Sequence, residues 1–341
     1  MAGKHSGKQE TNNIKKNKKS RKGLKIFGII LLIIILIIAG VIAGGAWYVG
    51  DKLGKIDYDS ELKSDDIEVN SGIEEKLSKY RNIALFGLDS RTNSLDDSRS
   101  DCIMIVSINE ETKEVKLISV YRDTYLQLTN RSLDKITHAY AYGGAKLALS
   151  TLNTNLDLDI KEYVTVNFET VKTVVDAVGG IKMTVTSAEA NSIPNISSAG
   201  TYNLNGEQAL AYARIRKIDT DYKRTERMRD VLTAVFNKVK KMDVGTINSL
   251  MDTVLPHVRT NISSGEILSL IPDAVSYNIG ESIGWPYVVK AYTTPTWYGA
   301  PVTLESNVKQ LHKDIFNDEN YEPSEKVKEI SNSIIKKTGY K

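Results

Sequence analysis

Cysteine is nearly absent from this sequence. Cys102 is the only one in 341 residues, so no disulfide within the chain holds the fold together. The four histidines (His5, His138, His257, His312) are scattered and give no metal-ligand spacing, which removes the usual zinc sites. A Walker-type glycine loop followed by Lys-Ser/Thr is missing, as is G-x-G-x-x-G, which argues against P-loop and dinucleotide chemistry. No internal repeat or low-complexity segment occurs beyond the N-terminal tail. What remains must be done by charged side chains on an ordinary hydrophobic core, for which 41% hydrophobic residues are ample.

Charge is unevenly placed. Residues 1–25 carry nine Lys/Arg against one acid, Glu10, and beyond them 36 basic residues face 41 acidic ones, a net of −5. A basic tail on a mildly acidic body argues against a body that grips nucleic acid by bulk charge. Residues 26–49 are 24 uncharged positions, IFGIILLIIILIIAGVIAGGAWYV. As a helix this run spans roughly 36 Å, enough for a tilted bilayer crossing. Trp47 and Tyr48 close it as interfacial aromatics, and the basic block sets the N-terminus inside. The run is longer than a usual signal-peptide core, so an uncleaved anchor is expected, with the remainder outside the membrane. Gly40 and Gly44 form only a weak GxxxG pair. The expected organisation is a cytoplasmic tail (1–25), an anchor (26–49), a stalk (50–79), a folded domain (80–320) and a C-terminal tail (321–341).

Apolar runs at 82–88, 102–109 and 115–121 read as strands, the last two joined by the hairpin-like NEETKE. A helix is expected over 136–156, interrupted at Gly143-Gly144. A strand at 163–168, a helix at 169–178 and a strand at 181–186 follow. Helices at 246–255, 264–277 and 304–316 and a strand near 286–292 complete the chain. Alternating strands and helices imply an α/β/α sandwich around a mixed sheet.

Two constellations carry chemistry. In RIRKIDTDYKRTERMR (214–229), the apolar stripe Met228, Val231, Leu232, Val235, Phe236, Val239 and Met242 has helical spacing. Extended backwards, it places Arg224 and Arg227 on the inward face, where a charge needs a partner. Arg214 and Arg216 alternate, as in an extended segment pointing both one way. Four such guanidiniums point to a bound phosphate or pyrophosphate, and equally to a structural web with Asp219, Asp221 and Asp230. The second constellation sits at strand ends: Asp89 after the first strand, Arg99 and Asp101 before the second. If those strands are antiparallel neighbours, Asp89 and Asp101 meet at one end and can share Mg²⁺; loop acids capping turns are the plainer alternative. Arg122-Asp123 leaves the third strand, and Lys135 precedes the Gly143-Gly144 helix. Cys102 reads as a small buried hydrophobe.

Taken in order, NIALFGLDSR, RSDCIMIVSI, KLISVYRDTYL, DKITHAYAYGGA and LNGEQALAYARIRKIDTDYKRTERMR resemble the LytR-CpsA-Psr family of Gram-positive cell-envelope proteins over about residues 82–242. The resemblance implies an α/β/α sandwich that moves an anionic glycopolymer (wall teichoic acid, capsular polysaccharide or similar) from undecaprenyl pyrophosphate to peptidoglycan. In such a reaction the 6-hydroxyl of N-acetylmuramic acid is the acceptor. By position, Asp89 and Asp101 resemble the family's acids for Mg²⁺, with Mn²⁺ as a substitute. Arg99, Arg214, Arg216 and Arg224 resemble its pyrophosphate-binding arginines, with Arg227 in the same run and Lys135 as a further phosphate contact, and Arg122 resembles the catalytic arginine. Met228 departs from the glutamine that many members carry there. A tunnel for the lipid is expected beside the arginines, lined from the 147–156 and 171–178 helices. A lipid pyrophosphate hydrolase and a non-enzymatic envelope regulator or transcription attenuator are the rival classes; nucleic acid is not an expected partner.

Overall fold

The structure is a computed structural model that describes residues 52–88, 95, 98–215, 218, 221–239, 242, 244–269 and 277–341. The expected basic tail and anchor lie outside the described residues. Among those described, no helix is long and apolar enough to cross a membrane.

Strands β1 (Asp57–Tyr58), β2 (Tyr80–Leu88), β3 (Ser100–Asn109) and β4 (Glu114–Val120) come first, then the short pair β5 (Tyr125–Gln127) and β6 (Leu133–Lys135). Helix α1 (Ile73–Lys76) precedes β2, and α2 (Ile136–Leu156) follows β6. Next are β7 (Glu162–Asn167), α3 (Phe168–Ala177), β8 (Ile181–Val185), α4 (Ser187–Ala190), β9 (Gly200–Leu204) and α5 (Gly206–Ala213). The chain continues through α6 (Asp221–Val239), α7 (Val244–Val254), β10 (Arg259–Thr260), α8 (Ser264–Ser269) and β11 (Asn278–Trp285). It closes with β12 (Val289–Thr293), β13 (Trp297–Pro301), α9 (Leu304–Phe316) and α10 (Glu325–Thr338).

Seven strands form a mixed sheet in the order β1-β10-β7-β2-β3-β4-β11. β2, β3 and β4 run antiparallel in sequence, while β7 joins β2 and β11 joins β4 in parallel. The apolar runs of these strands are nearly continuous because both faces are covered. Met104, Val106 and Ile108 of β3 face one core with α3, α5, α6 and α7. Ile103 and Ile105 face the other, with α2, α9 and α10. Side chains such as Phe86 and Trp285 are fully buried, each contributing about 1.5–3 kcal/mol by leaving water.

Local signals explain the helix boundaries. Asn167, Asn205 and Ser324 cap α3, α5 and α10 through their side chains. Asn317 and Gly339 end α9 and α10 in the left-handed conformation. Helix α2 is kinked at Gly143-Gly144, as the sequence leads one to expect.

Three expectations are revised. Residues 52–79 do not stand off as a stalk: Leu53 joins one core, Ile67, Ile73 and Leu77 join the other, and β1 is a sheet edge. The C-terminal residues are likewise built in. Asp157 accepts hydrogen bonds from Asn70 Nδ2 (2.6 Å), Tyr321 Oη (2.9 Å) and Ser324 N (2.7 Å), which fastens the start of α10 to the end of α2. Finally, the expected strand near 286–292 resolves into β11 and a separate β12–β13 hairpin. Gly280 and Gly284 weaken the strand signal of β11, yet a Cβ at Gly284 would collide with Tyr121, so packing demands the glycine there.

Candidate phosphate-handling site

The pairing of β2 with β3 breaks register at its end: Gly87 lies opposite Cys102 but Leu88 opposite Ser100. Asp101 is therefore the extra residue of a β-bulge, a device that re-aims one side chain and recurs beside active sites. Its carboxylate is only 4% exposed and receives Arg122 Nη1 at 2.5 Å. Arg122 is placed by the turn after β4, whose carbonyl accepts from Thr137 N at the start of α2 (3.1 Å), while Thr137 Oγ1 donates to Ser100 O (2.9 Å). The first turn of α2 thus clamps both strand ends. Arg122 Nε lies 3.6 Å from Asp123 Oδ2, and Lys135 Nζ is 2.8 Å from Asp123 Oδ1.

Helix α6 approaches from the opposite core. Arg224 and Arg227 are each only 3% exposed, as the inward stripe requires. Arg224 Nη2 reaches the Asp101 carbonyl at 3.4 Å. Arg227 Nη2 donates to Ile215 O at 2.8 Å, and its Nη1 is 3.4 Å from Glu189 at the start of α4. Arg227 is thus tied to its own scaffold as well as to any ligand.

Asp101, Arg122 and Arg224 are therefore brought together directly, and Lys135 joins them through Asp123. Arg99, just before β3, is exposed. Arg214 is not part of an extended segment: α5 runs on to Ala213, and Arg214 caps it with its N–H donating to Leu210 and Ala211 carbonyls and its side chain exposed. The alternating-strand placement of Arg214 and Arg216 fails because the capped helix α5 outlasts the local pattern; Arg216 itself lies outside the described residues. So does Asp89, although Asp101 sits at the sheet end from which β2 departs.

Next to Asp101 and one turn beyond Arg224 lies a narrow apolar cavity of about 40 Å³. Leu85, Cys102 and Met104 of the sheet form one wall; Val171 of α3, Leu210 of α5 and Met228 of α6 form the other. Only α3 of the two helices expected to line it does so. Helix α2, with Leu149 and Leu152, covers the other face of the sheet. Cys102 is half-buried and part of this wall. Gly206 lets α5 approach α3, because a Cβ there would meet Lys172 O and the Asp176 carboxylate. Met228 supplies apolar wall. Residues 280–284 spell G-x-S-x-G, but they lie inside β11 and not on a strand-to-helix turn, so they form no nucleophile elbow.

Sequence reasoning missed the bulge, Thr137 and Glu189 as supports of the charged groups. No local signal marks them, since each acts on a partner in another element, as Thr137 does on Ser100 and Glu189 on Arg227.

Asp101 and Arg224, with Arg122 on Asp101, thus adjoin Cys102 and Met228 of the cavity wall in an α/β sandwich, the class of arrangement suited to an anion attached to an apolar chain. The model of the LytR_cpsA_psr family matches residues 50–281, and the chain belongs to that family. It is 34% identical over 212 residues to the polyisoprenyl-teichoic acid–peptidoglycan teichoic acid transferase TagT of Bacillus subtilis (strain 168), covering 59% of this chain and 66% of that protein. Against a transferase named TagU from Enterococcus faecalis (strain ATCC 700802 / V583) the identity is 32% over 260 residues, 74% of this chain and 84% of the relative. A solved structure of the family protein YwtF (TagT) with bound octaprenyl pyrophosphate lipid superposes with a TM-score of 0.56 at 26% identity, over 76% of this chain and 99% of that one.

Proposed function

We propose that this chain is an extracellular phosphotransferase that moves an anionic glycopolymer, of the teichoic acid kind, from a polyprenyl pyrophosphate carrier to peptidoglycan. The observation that supports it best is the Asp101–Arg122 pair with Arg224, beside an apolar cavity whose wall includes Cys102, next to Asp101, and Met228, one turn beyond Arg224. The pyrophosphate sits against Arg122 and Arg224, and the first isoprene units enter the cavity beside Cys102 and Met228. A peptidoglycan hydroxyl attacks the polymer-linked phosphorus and forms the phosphodiester as the bond to the bridging oxygen breaks; polyprenyl phosphate departs with that oxygen and takes up the hydroxyl's proton. Such a transfer needs positioning and charge neutralisation more than covalent chemistry. The arginines do both: bidentate guanidinium contacts orient the phosphates and offset charge on their oxygens. Arg99 and Arg214, exposed nearby in sequence, and Arg216 are assigned to the outer phosphate and polymer.

The carboxylate of Asp101 offers the hard oxygen donors that Mg²⁺ takes, and Asp89 is proposed as its companion. Among the described residues no cluster of three His, Cys, Asp or Glu holds a metal unaided, so phosphate oxygens and water would complete the shell. When bound, the ion would add positive charge at the phosphate oxygens. Residues 26–49 are proposed as the anchor that keeps the cavity near the lipid carrier.

The test is transfer of labelled polymer from its lipid pyrophosphate to purified peptidoglycan by the full chain. Arg122→Ala and Arg224→Ala are expected to lower the rate at least about 100-fold. Equal release of polymer with and without peptidoglycan would instead make the protein a hydrolase.

A further inference from the structure

The β12–β13 hairpin lies beyond the family match, which ends at residue 281. It is nevertheless stitched to the site. Gly299 N donates to Asp123 O (2.9 Å), and Asp123 is the residue that spans Arg122 and Lys135. Lys135 Nζ also stands 5.4 Å from the ring centre of Tyr298.

The two hairpin faces differ. Tyr292 and Tyr298, opposite each other, pack inward on Tyr125 with ring centres 5.4 and 4.8 Å from it. Trp297 and Gly299 belong to the outer face. A Cβ on Gly299 would lie 3.3 Å from the Trp297 ring and 3.1 Å from Val289, so the far edge of the indole reaches back along the strand over the space the glycine leaves open. Trp297 remains 43% exposed, an unusual accessibility for so large an apolar side chain.

We infer that this indole platform binds a saccharide segment of the peptidoglycan acceptor. The inference rests on the proposed transfer and concerns where its acceptor enters. The lipid cavity lies on the α3–α5–α6 face of the sheet, whereas the hairpin packs on the other core, with Asp101 and Arg122 at the sheet end between them. Phosphoryl transfer is roughly in line, so the nucleophile must approach from the side away from the departing lipid phosphate. That side is the hairpin's. A flat, half-exposed aromatic ring offers a sugar its apolar C–H face while leaving the hydroxyls in water. A lipid surface would call for several apolar side chains that project, whereas Trp297 presents one ring whose far edge reaches back to Gly299.

The experiment compares Trp297→Ala and Trp297→Phe with the unaltered full chain. Trp297→Ala is expected to raise the KM for peptidoglycan fragments roughly tenfold, as loss of a central tryptophan contact does. The KM for lipid donor and the rate at saturating acceptor stay unchanged, and Trp297→Phe recovers most of the loss. Independently, soluble glycan fragments should alter the tryptophan emission of the unaltered chain but not of Trp297→Phe, since of the other two tryptophans Trp285 is buried and Trp47 belongs to the proposed anchor. An unchanged acceptor KM together with unchanged emission overturns the platform. So does a defect that appears instead in donor KM, in binding to vesicles of anionic phospholipid, or in self-association. If no transfer occurs at all but fragments still perturb Trp297, the platform stands and the proposed function falls.

Discussion

Arg122 and Asp101 form a buried ion pair, and that makes a quantitative prediction. At a charge separation near 4 Å and an effective dielectric of about 20, their attraction is roughly 4 kcal/mol, offset in part by the desolvation of both ions. Arg122→Ala takes the guanidinium from a carboxylate that is 4% exposed; Asp101→Ala leaves the guanidinium with Asp123 at 3.6 Å. Each single change is expected to cost about 3 kcal/mol of unfolding free energy, or a fall in Tm of about 6–12 °C for a domain of this size. The double variant should cost about as much as either single one, because neither ion is then left alone. Urea unfolding of the four proteins measures the coupling, expected at about 2–3 kcal/mol and opposite in sign to simple addition. Additivity within about 0.5 kcal/mol, or an Arg122→Ala protein as stable as the parent without ligand, would refute the pair. Of the two sequence readings, a pure phosphate cradle would leave clustered arginines repelling one another in the empty site, so that removing one leaves stability intact, whereas a salt-bridge web would be destabilised. Here the ligand-free arginines are already held, by Asp101, by its carbonyl and by Ile215 O.

Three further outcomes follow from the packing. Val171→Phe should fill the apolar cavity, reducing polyprenyl pyrophosphate binding at least about tenfold while costing no more than about 1–3 kcal/mol in stability; undiminished binding by calorimetry would place the lipid elsewhere. Gly206→Ala should destabilise by about 1–3 kcal/mol, read as a Tm loss, because its Cβ has no room against α3. His312 is buried, stacked on Tyr321 with ring centres 3.6 Å apart, and desolvation lowers its pKa from 6.5 to about 4. The unfolded chain therefore binds a proton that the folded one refuses, so stability is full above pH 6.5 and falls by about 3 kcal/mol as pH drops to 4. His312→Phe should flatten that part of the urea-midpoint profile, and an unchanged profile would contradict the assignment.

Much of the site was legible because it obeys local rules. A 3.6-residue stripe continued back onto Arg224 and Arg227 predicts two buried guanidiniums whatever they bind, and both are buried. Apolar runs bounded by charged residues locate β2, β3 and β4, and helix periodicity with capping residues locates α2, α3 and α9. Arg214 was misplaced because its own spacing reads as a strand, whereas the capping box three turns' worth of contacts earlier commits the chain to α5.

Tertiary structure alone decided the rest. The bulge that turns Asp101 towards Arg122 comes from a one-residue mismatch between two strands, and no single strand encodes it. Which helices wall the cavity depends on which side of the sheet each crossover takes, so α6 and α5 line it while the equally apolar α2 does not. The β12–β13 hairpin, whose residues show little alternation, is set beside Asp123 by one backbone hydrogen bond 176 positions apart in sequence. Periodicity is written residue by residue; register, handedness and contact between distant segments are settled only when the whole core closes.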